Sequence, residues 1–159
     1  MITRAKLCLA ALAALTLAAC ASAPPSSAAN VSQIVSTTSF GMCQGYCSTR
    51  LEIANGQAVL TREPGGRGPR TLPTQHFTAA LTPAEWEELS QLAAHTDLSS
   101  LPDVIGCPDC ADGGAESLAL SRGGVTRGIS FDHGATIAPA QPLLEKVRAL
   151  RARLTPTEE

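Results

Sequence analysis

Leu51 and Ile53 alternate with the polar Arg50 and Glu52 in STRLEIANGQAVLTR, residues 48–62. A period of two is the mark of a half-buried strand. Asn55-Gly56 supplies the two positive-φ residues of a type I′ turn, so the stretch predicts a β-hairpin with Val59 and Thr61 on its return strand. The same scheme recurs in ESLALSRGGVTRGISF, residues 116–131, turning at Gly123-Gly124. Its expected inward residues are Leu118, Leu120, Val125, Ile129 and Phe131. Between the hairpins, Glu63–Arg70 is a Gly/Pro loop and residues 71–80 read as a further extended segment.

Helical spacing takes over at LTPAEWEELSQLAAHTD, where Trp86, Leu89, Leu92 and Ala93 fall on one face. Thr82 is a natural N-cap, Pro83 suits the first helical position, and Glu85 completes a capping box. A second helix is predicted in residues 140–154, with Leu143, Val147, Leu150 and Leu154 on one stripe. Its Lys146, Arg148, Arg151 and Arg153 are expected on a solvated face; contact with anionic lipid is the sharper alternative. These elements predict an α+β fold: an antiparallel sheet from two hairpins with two helices on one face, in the order ββα-ββα.

The N-terminal end has a different character. Leu7–Ala19 is an apolar run of 13 residues behind Arg4 and Lys6. It is too short to span a bilayer, which takes about 20 residues, and fits the core of a secretory signal. The run ends in Leu17-Ala18-Ala19-Cys20, which resembles a bacterial lipobox, and Ala21 follows the cysteine. The resemblance implies cleavage before Cys20, lipidation of its thiol, and sorting to the outer membrane, facing the periplasm. Several acyl chains on one residue suffice for stable anchoring. The expected organisation is a signal peptide at 1–19, an Ala/Ser/Pro-rich tether at 20–31, one domain at 32–154 and a disordered tail at 155–159.

Charge and aromatic content narrow the function classes. The net charge is −2 and becomes more negative once Arg4 and Lys6 are lost. An acidic domain suits nucleic acid poorly, because phosphate binding needs clustered cations. Phe40, Tyr46, Phe77, Trp86 and Phe131 are scattered and form no stacking platform in the sequence.

Cys43, Cys47, Cys107 and Cys110 remain for the domain once Cys8 and Cys20 are assigned to the signal and the lipid. Three chemistries fit four cysteines. Two structural disulfides suit an exported domain. Local loops would each stabilise by roughly 2 kcal/mol and a loop of about 65 residues by roughly 4. Turns at Gly45 and at Pro108-Asp109 favour Cys43–Cys47 and Cys107–Cys110. A zinc site would use the same four thiolates, although the Cys43-x3-Cys47 spacing is unlike a zinc knuckle. Thiol-redox chemistry at CPDC would need a helix N-terminus to stabilise the thiolate, and ADGGAE does not start one.

Other candidate chemistry is thin. His95 reads as a helix C-terminal cation, and His76 falls in an extended segment. Asp132-His133 is the one adjacent carboxylate–imidazole pair, but neighbours on a strand face opposite ways. Asp103, Asp109, Asp112 and Glu116 flank the second cysteine pair without calcium-loop regularity. No nucleophile elbow, zincin or phosphate-loop motif occurs.

SFGMCQGYCSTRLEIANGQAV, with Phe40, Gly41, Cys43 and Tyr46, resembles the opening of a family of small exported bacterial proteins and lipoproteins of unknown function. Gln44 stands where that family commonly has proline. The resemblance spans about residues 39–154 and implies a small α+β fold with no assigned activity, cofactor or catalytic residues. The expectation is a lipid-anchored envelope module, non-catalytic, that binds an envelope protein through loops 63–70 and 106–116. A periplasmic thiol-redox or zinc protein is the alternative.

Overall fold

The computed structural model describes residues 31–65 and 72–157. The signal segment, Cys20, residues 20–30 of the tether, most of the Gly/Pro loop and the last two residues lie outside them. Seven strands form one sheet: β1 Val31–Ser39, β2 Tyr46–Ala54, β3 Gln57–Pro64, β4 Gln75–Ala80, β5 Val104–Ile105, β6 Ala115–Arg122 and β7 Val125–Asp132. Their order across the sheet is β4-β3-β2-β1-β6-β7-β5. Helices α1 (Pro83–His95) and α2 (Gln141–Leu154) complete the fold.

The expected two-hairpin ββα-ββα arrangement is therefore corrected. The sheet is mixed, because β5 runs parallel to β7. Its centre is β1, a strand the hydrophobic pattern does not reveal, and Val31, expected to end the tether, opens it. β1 pairs antiparallel with β2 and with β6, joining two hairpins that would otherwise each be marginal. The sequence VSQIVSTTS hides this strand because its inward residues after Ile34 are Ser36 and Thr38, both buried. Hydroxyl rungs lock it to its neighbours: Thr38 to Thr49 at 2.7 Å and Thr37 to Ser117 at 2.6 Å.

The first hairpin turns at Asn55 (φ 51°) and Gly56 (φ 72°), as its sequence demands. Its return strand buries Ala58, Leu60 and Arg62 and leaves Val59 and Thr61 on the open face. In the second hairpin Leu118, Leu120, Ile129 and Phe131 are buried, whereas Val125 at the turn is 71% exposed. The Val125 expectation fails because the residue sits next to the Gly123-Gly124 turn, where residues 123–126 are all exposed.

Both helices cover the same face, where Leu89, Ala93, Leu143, Leu144, Val147 and Leu150 meet the inward row of the sheet. The capping box forms as expected: the Glu85 amide donates to Thr82 Oγ1 at 3.2 Å, and the Thr82 amide to Glu85 Oε2 at 2.8 Å. The helices run antiparallel, bridged by Lys146–Glu88 at 2.7 Å and Arg153–Glu85 at 2.5 Å. Among the described residues no helix is long and apolar enough to cross a membrane.

Candidate functional site

The register of β1 separates the molecule into two ends. Val31 pairs with Arg122, beside the Gly123-Gly124 turn, while Ser39 pairs with Ser48 and Ala115 at the opposite end. All four domain cysteines gather at that opposite end, about 26 Å away along nine residues of strand.

Two loops build it, each closed by a cysteine pair at disulfide distance. Cys43 and Cys47 lie at disulfide distance, Cα–Cα 5.6 Å, across the β1–β2 connection. Gly45 at φ 88° allows the turn, and the Phe40 amide closes it by donating to the Cys47 carbonyl at 3.0 Å. Cys107 and Cys110 lie at disulfide distance, Cα–Cα 5.4 Å, in the β5–β6 connection. That connection holds Asp109, Ala111 and Asp112 at positive φ, so residues 110–112 form a single 3-10 turn broken at Ala111, and no α-helix begins there. Neither sulfur of CPDC therefore gains the helix N-terminus that would stabilise a thiolate. Both cysteines are nevertheless exposed, whereas Cys47 is buried.

The loops are fastened to each other. The Gly41 amide donates to Asp109 Oδ1 at 3.3 Å. Gly114, at φ 80°, backs so closely onto the Phe40 ring that a Cβ there would run into it. The Phe40 ring also meets the His133 ring, with centroids 4.8 Å apart and planes at 63°. The His133 amide donates to the Gly114 carbonyl at 3.1 Å, and the Cys107 amide donates to Asp132 Oδ1 at 3.0 Å.

This geometry assigns the sequence candidates. Asp132 holds the CPDC loop while His133 packs on Phe40, so the two side chains serve different neighbours and form no dyad among the described residues. Asp103 pairs with Arg127, Asp109 with Gly41, and Glu116 lies inside the domain, so the acidic residues do not converge on a cation. Among the described residues no group of three or more metal-ligating side chains is placed to hold a metal ion. The zinc alternative needs Cys43, Cys47, Cys107 and Cys110 around one centre; here each sulfur partners within its own loop. His95 Nδ1 lies 2.7 Å from the Gln91 carbonyl on its own helix, and His76 Nδ1 lies 3.1 Å from Thr61 Oγ1.

Beneath the loops lies a charged cluster the sequence reading missed. Glu116 is 1% exposed. It accepts from Arg148 Nη2 at 2.8 Å, from Arg151 Nη1 at 3.2 Å, and from the Gly134 amide at 3.3 Å. Arg148 also donates to the Ala135 carbonyl at 2.9 Å, and Arg151 to Ser36 Oγ. Burial pushes the Glu116 carboxyl up, but the hydrogen bond from Arg148 and the charges of Arg151 and Arg148 outweigh it, leaving the pKa below the usual carboxylate value. Burial lowers the Arg151 pKa, opposed by Glu116. The expected solvated face of α2 is thus corrected: Arg148 and Arg151 turn inward, while Lys146 and Arg153 stay on the surface, each paired to α1. Parity carried the signal. Glu116 shares the inward phase of Leu118 and Leu120, and Arg151 sits four residues after Val147 on the buried stripe.

A cavity of about 250 Å³ between α1 and α2 is lined by Leu81, Leu89, Ala149 and Leu150 and rimmed by the two interhelical ion pairs. It shares no residue with the cysteine loops, and its rim neutralises its own charge. At the cysteine end Met42, next to Cys43, is 47% exposed. No protein-family model matches the chain, and none of the curated proteins compared with it matches.

Proposed function

We propose that the chain is a lipid-anchored protein of the bacterial cell envelope, a non-catalytic module that binds another envelope component through its stapled end. Cys20 carries the lipid in this reading, and the body faces the periplasm from the outer membrane. The observation that carries it is polarity of placement. The tether joins β1 at Val31, and the fastened loops project from the far end of that strand. The loops thus stand clear of the surface that holds the anchor. Two local staples, the Asp109–Gly41 bond and the Phe40–His133 contact pre-organise those loops, which lowers the ordering cost of binding.

A photo-crosslinking residue at Met42 in intact cells tests this. The expected result is one reproducible adduct with an envelope component, absent when the same residue replaces Val125 at the tether end. No adduct from Met42, or equal adducts from both ends, removes the assignment. The thiol alternative draws on the exposure of Cys107 and Cys110. It predicts that the CPDC pair is found part-reduced in cells, while the binding reading predicts it fully oxidised.

A further inference from the structure

The sheet ends differently on its two sides. On one side β5 is only two residues long, follows Pro102, and breaks at Gly106 with φ 75°. A short edge of this kind is a poor template for another strand. On the other side β4 offers six residues, Gln75–Ala80, paired to β3 and, among the described residues, to no other strand. QHFTAA contains no acidic residue, lysine, arginine or proline, the devices that commonly blunt an open edge.

The register says which groups are free to pair. The Leu81 amide donates to the Gly56 carbonyl at 2.8 Å and so continues the β3–β4 ladder. Antiparallel ladders alternate, so Gln75, Phe77 and Ala79 bond toward β3, while His76, Thr78 and Ala80 turn their N–H and C=O outward. The side chains of those three are exposed on the open face of the sheet, and Gln75, Phe77 and Ala79 are half-buried toward the helix layer.

We infer that β4 is a docking edge for a second copy of this chain, paired antiparallel about a two-fold axis at Thr78. That register brings outward groups against outward groups: Thr78 with Thr78 of the second copy, and His76 with its Ala80. It forms about six main-chain hydrogen bonds. On the helix side it sets Phe77 beside Ala79 of the second copy, large against small, so the apolar border closes without two rings in conflict. The absence of Lys, Arg, Asp and Glu means that no like charges meet across the axis, and the interface is isologous, as a closed dimer requires. The sheet then runs continuously through both copies.

The experiment uses the full chain purified in a neutral, density-matched detergent, whether or not it carries lipid. Sedimentation should give about twice the monomer mass at concentrations on the order of tens of micromolar. Thr78→Lys, a change at an exposed side chain, should halve that mass and leave the circular dichroism spectrum unaltered. Independently, Thr78→Cys should give a dimer band on a non-reducing gel, because cross-strand Cα atoms at this pair lie about 5.5 Å apart. Thr126→Cys, on the same face at the distant hairpin tip, should give none. A wild type that stays monomeric, a Thr78→Lys variant with the wild-type mass, or Thr78→Cys adducts with other proteins alone would each overturn the inference.

Discussion

Replacing Glu116 by alanine removes the one carboxylate that two guanidiniums share inside the domain. The Glu116 side chain is 1% exposed, that of Arg151 11% and that of Arg148 25%, so the cluster is largely shielded from water. Breaking a buried pair by deleting one partner costs about 3–5 kcal/mol, because the remaining charge is left uncompensated. The Gly134 amide also loses its acceptor. Arg148 retains the Ala135 carbonyl and some water, which places the expected loss near the lower end, about 3–4 kcal/mol. A domain of this size is stable by about 5–15 kcal/mol, so the variant should still fold. Urea denaturation of the oxidised chain, followed by circular dichroism, reads the change as a lower midpoint at constant slope. Glu116→Leu combined with Arg148→Met and Arg151→Met should recover most of the loss, because no charge is then stranded. The pH dependence has a defined sign. The folded pKa of Glu116 is depressed, so its contribution is complete above the unfolded value of about 4.3 and fades as pH falls toward the folded value. Glu116→Gln should therefore flatten the acid limb of the stability curve. A loss below about 1 kcal/mol for Glu116→Ala, or an unchanged acid limb in Glu116→Gln, would refute the reasoning.

Other consequences follow from the same geometry. Gly114→Ala places a methyl group against Phe40 at a backbone φ of 80°, and should cost about 2–3 kcal/mol and shift the His133 ring resonances; a loss under 0.5 kcal/mol would contradict the close approach. Removing the first staple with Cys43→Ser and Cys47→Ser should cost about 2 kcal/mol in thermal unfolding, the expectation for a short loop, and a neutral outcome would show that the loop is held by its hydrogen bonds alone. Glu85 is held down to about 2 by its hydrogen bond from Arg153 and by the Thr82 cap; carboxyl resonances followed against pH should show this, and Arg153→Met should move the midpoint back up. An Arg153→Met midpoint equal to that of the wild type would remove the interhelical pair as the cause.

What the sequence disclosed follows from how loudly each element repeats. The two hairpins announce themselves through alternation and through Asn55-Gly56 and Gly123-Gly124, and α1 through Thr82, Pro83 and Glu85. β1 is silent because a central strand carrying Ser36 and Thr38 inward and Val35 outward has no clean period; its burial is imposed by β2 and β6 from either side. β5 is too short to have a pattern, and it alone makes the sheet mixed. At the candidate site, the turns at Gly45 and Pro108-Asp109 indicated short loops, and the structure places the cysteines of each loop together. That both loops would meet was not readable, because Gly41–Asp109 and Phe40–His133 span 68 and 93 residues of sequence. Glu116 stands among the acidic residues that flank the second cysteine pair, but its phase with Leu118 and Leu120 marks it as inward.

The account rests on export, anchoring and oxidation together, and peptide mass spectrometry of unreduced chain from cell membranes tests all three at once. It predicts a mature N-terminus at Cys20 bearing acyl mass, with Cys43 linked to Cys47 and Cys107 linked to Cys110. An intact Met1 accompanied by four free domain thiols would contradict it.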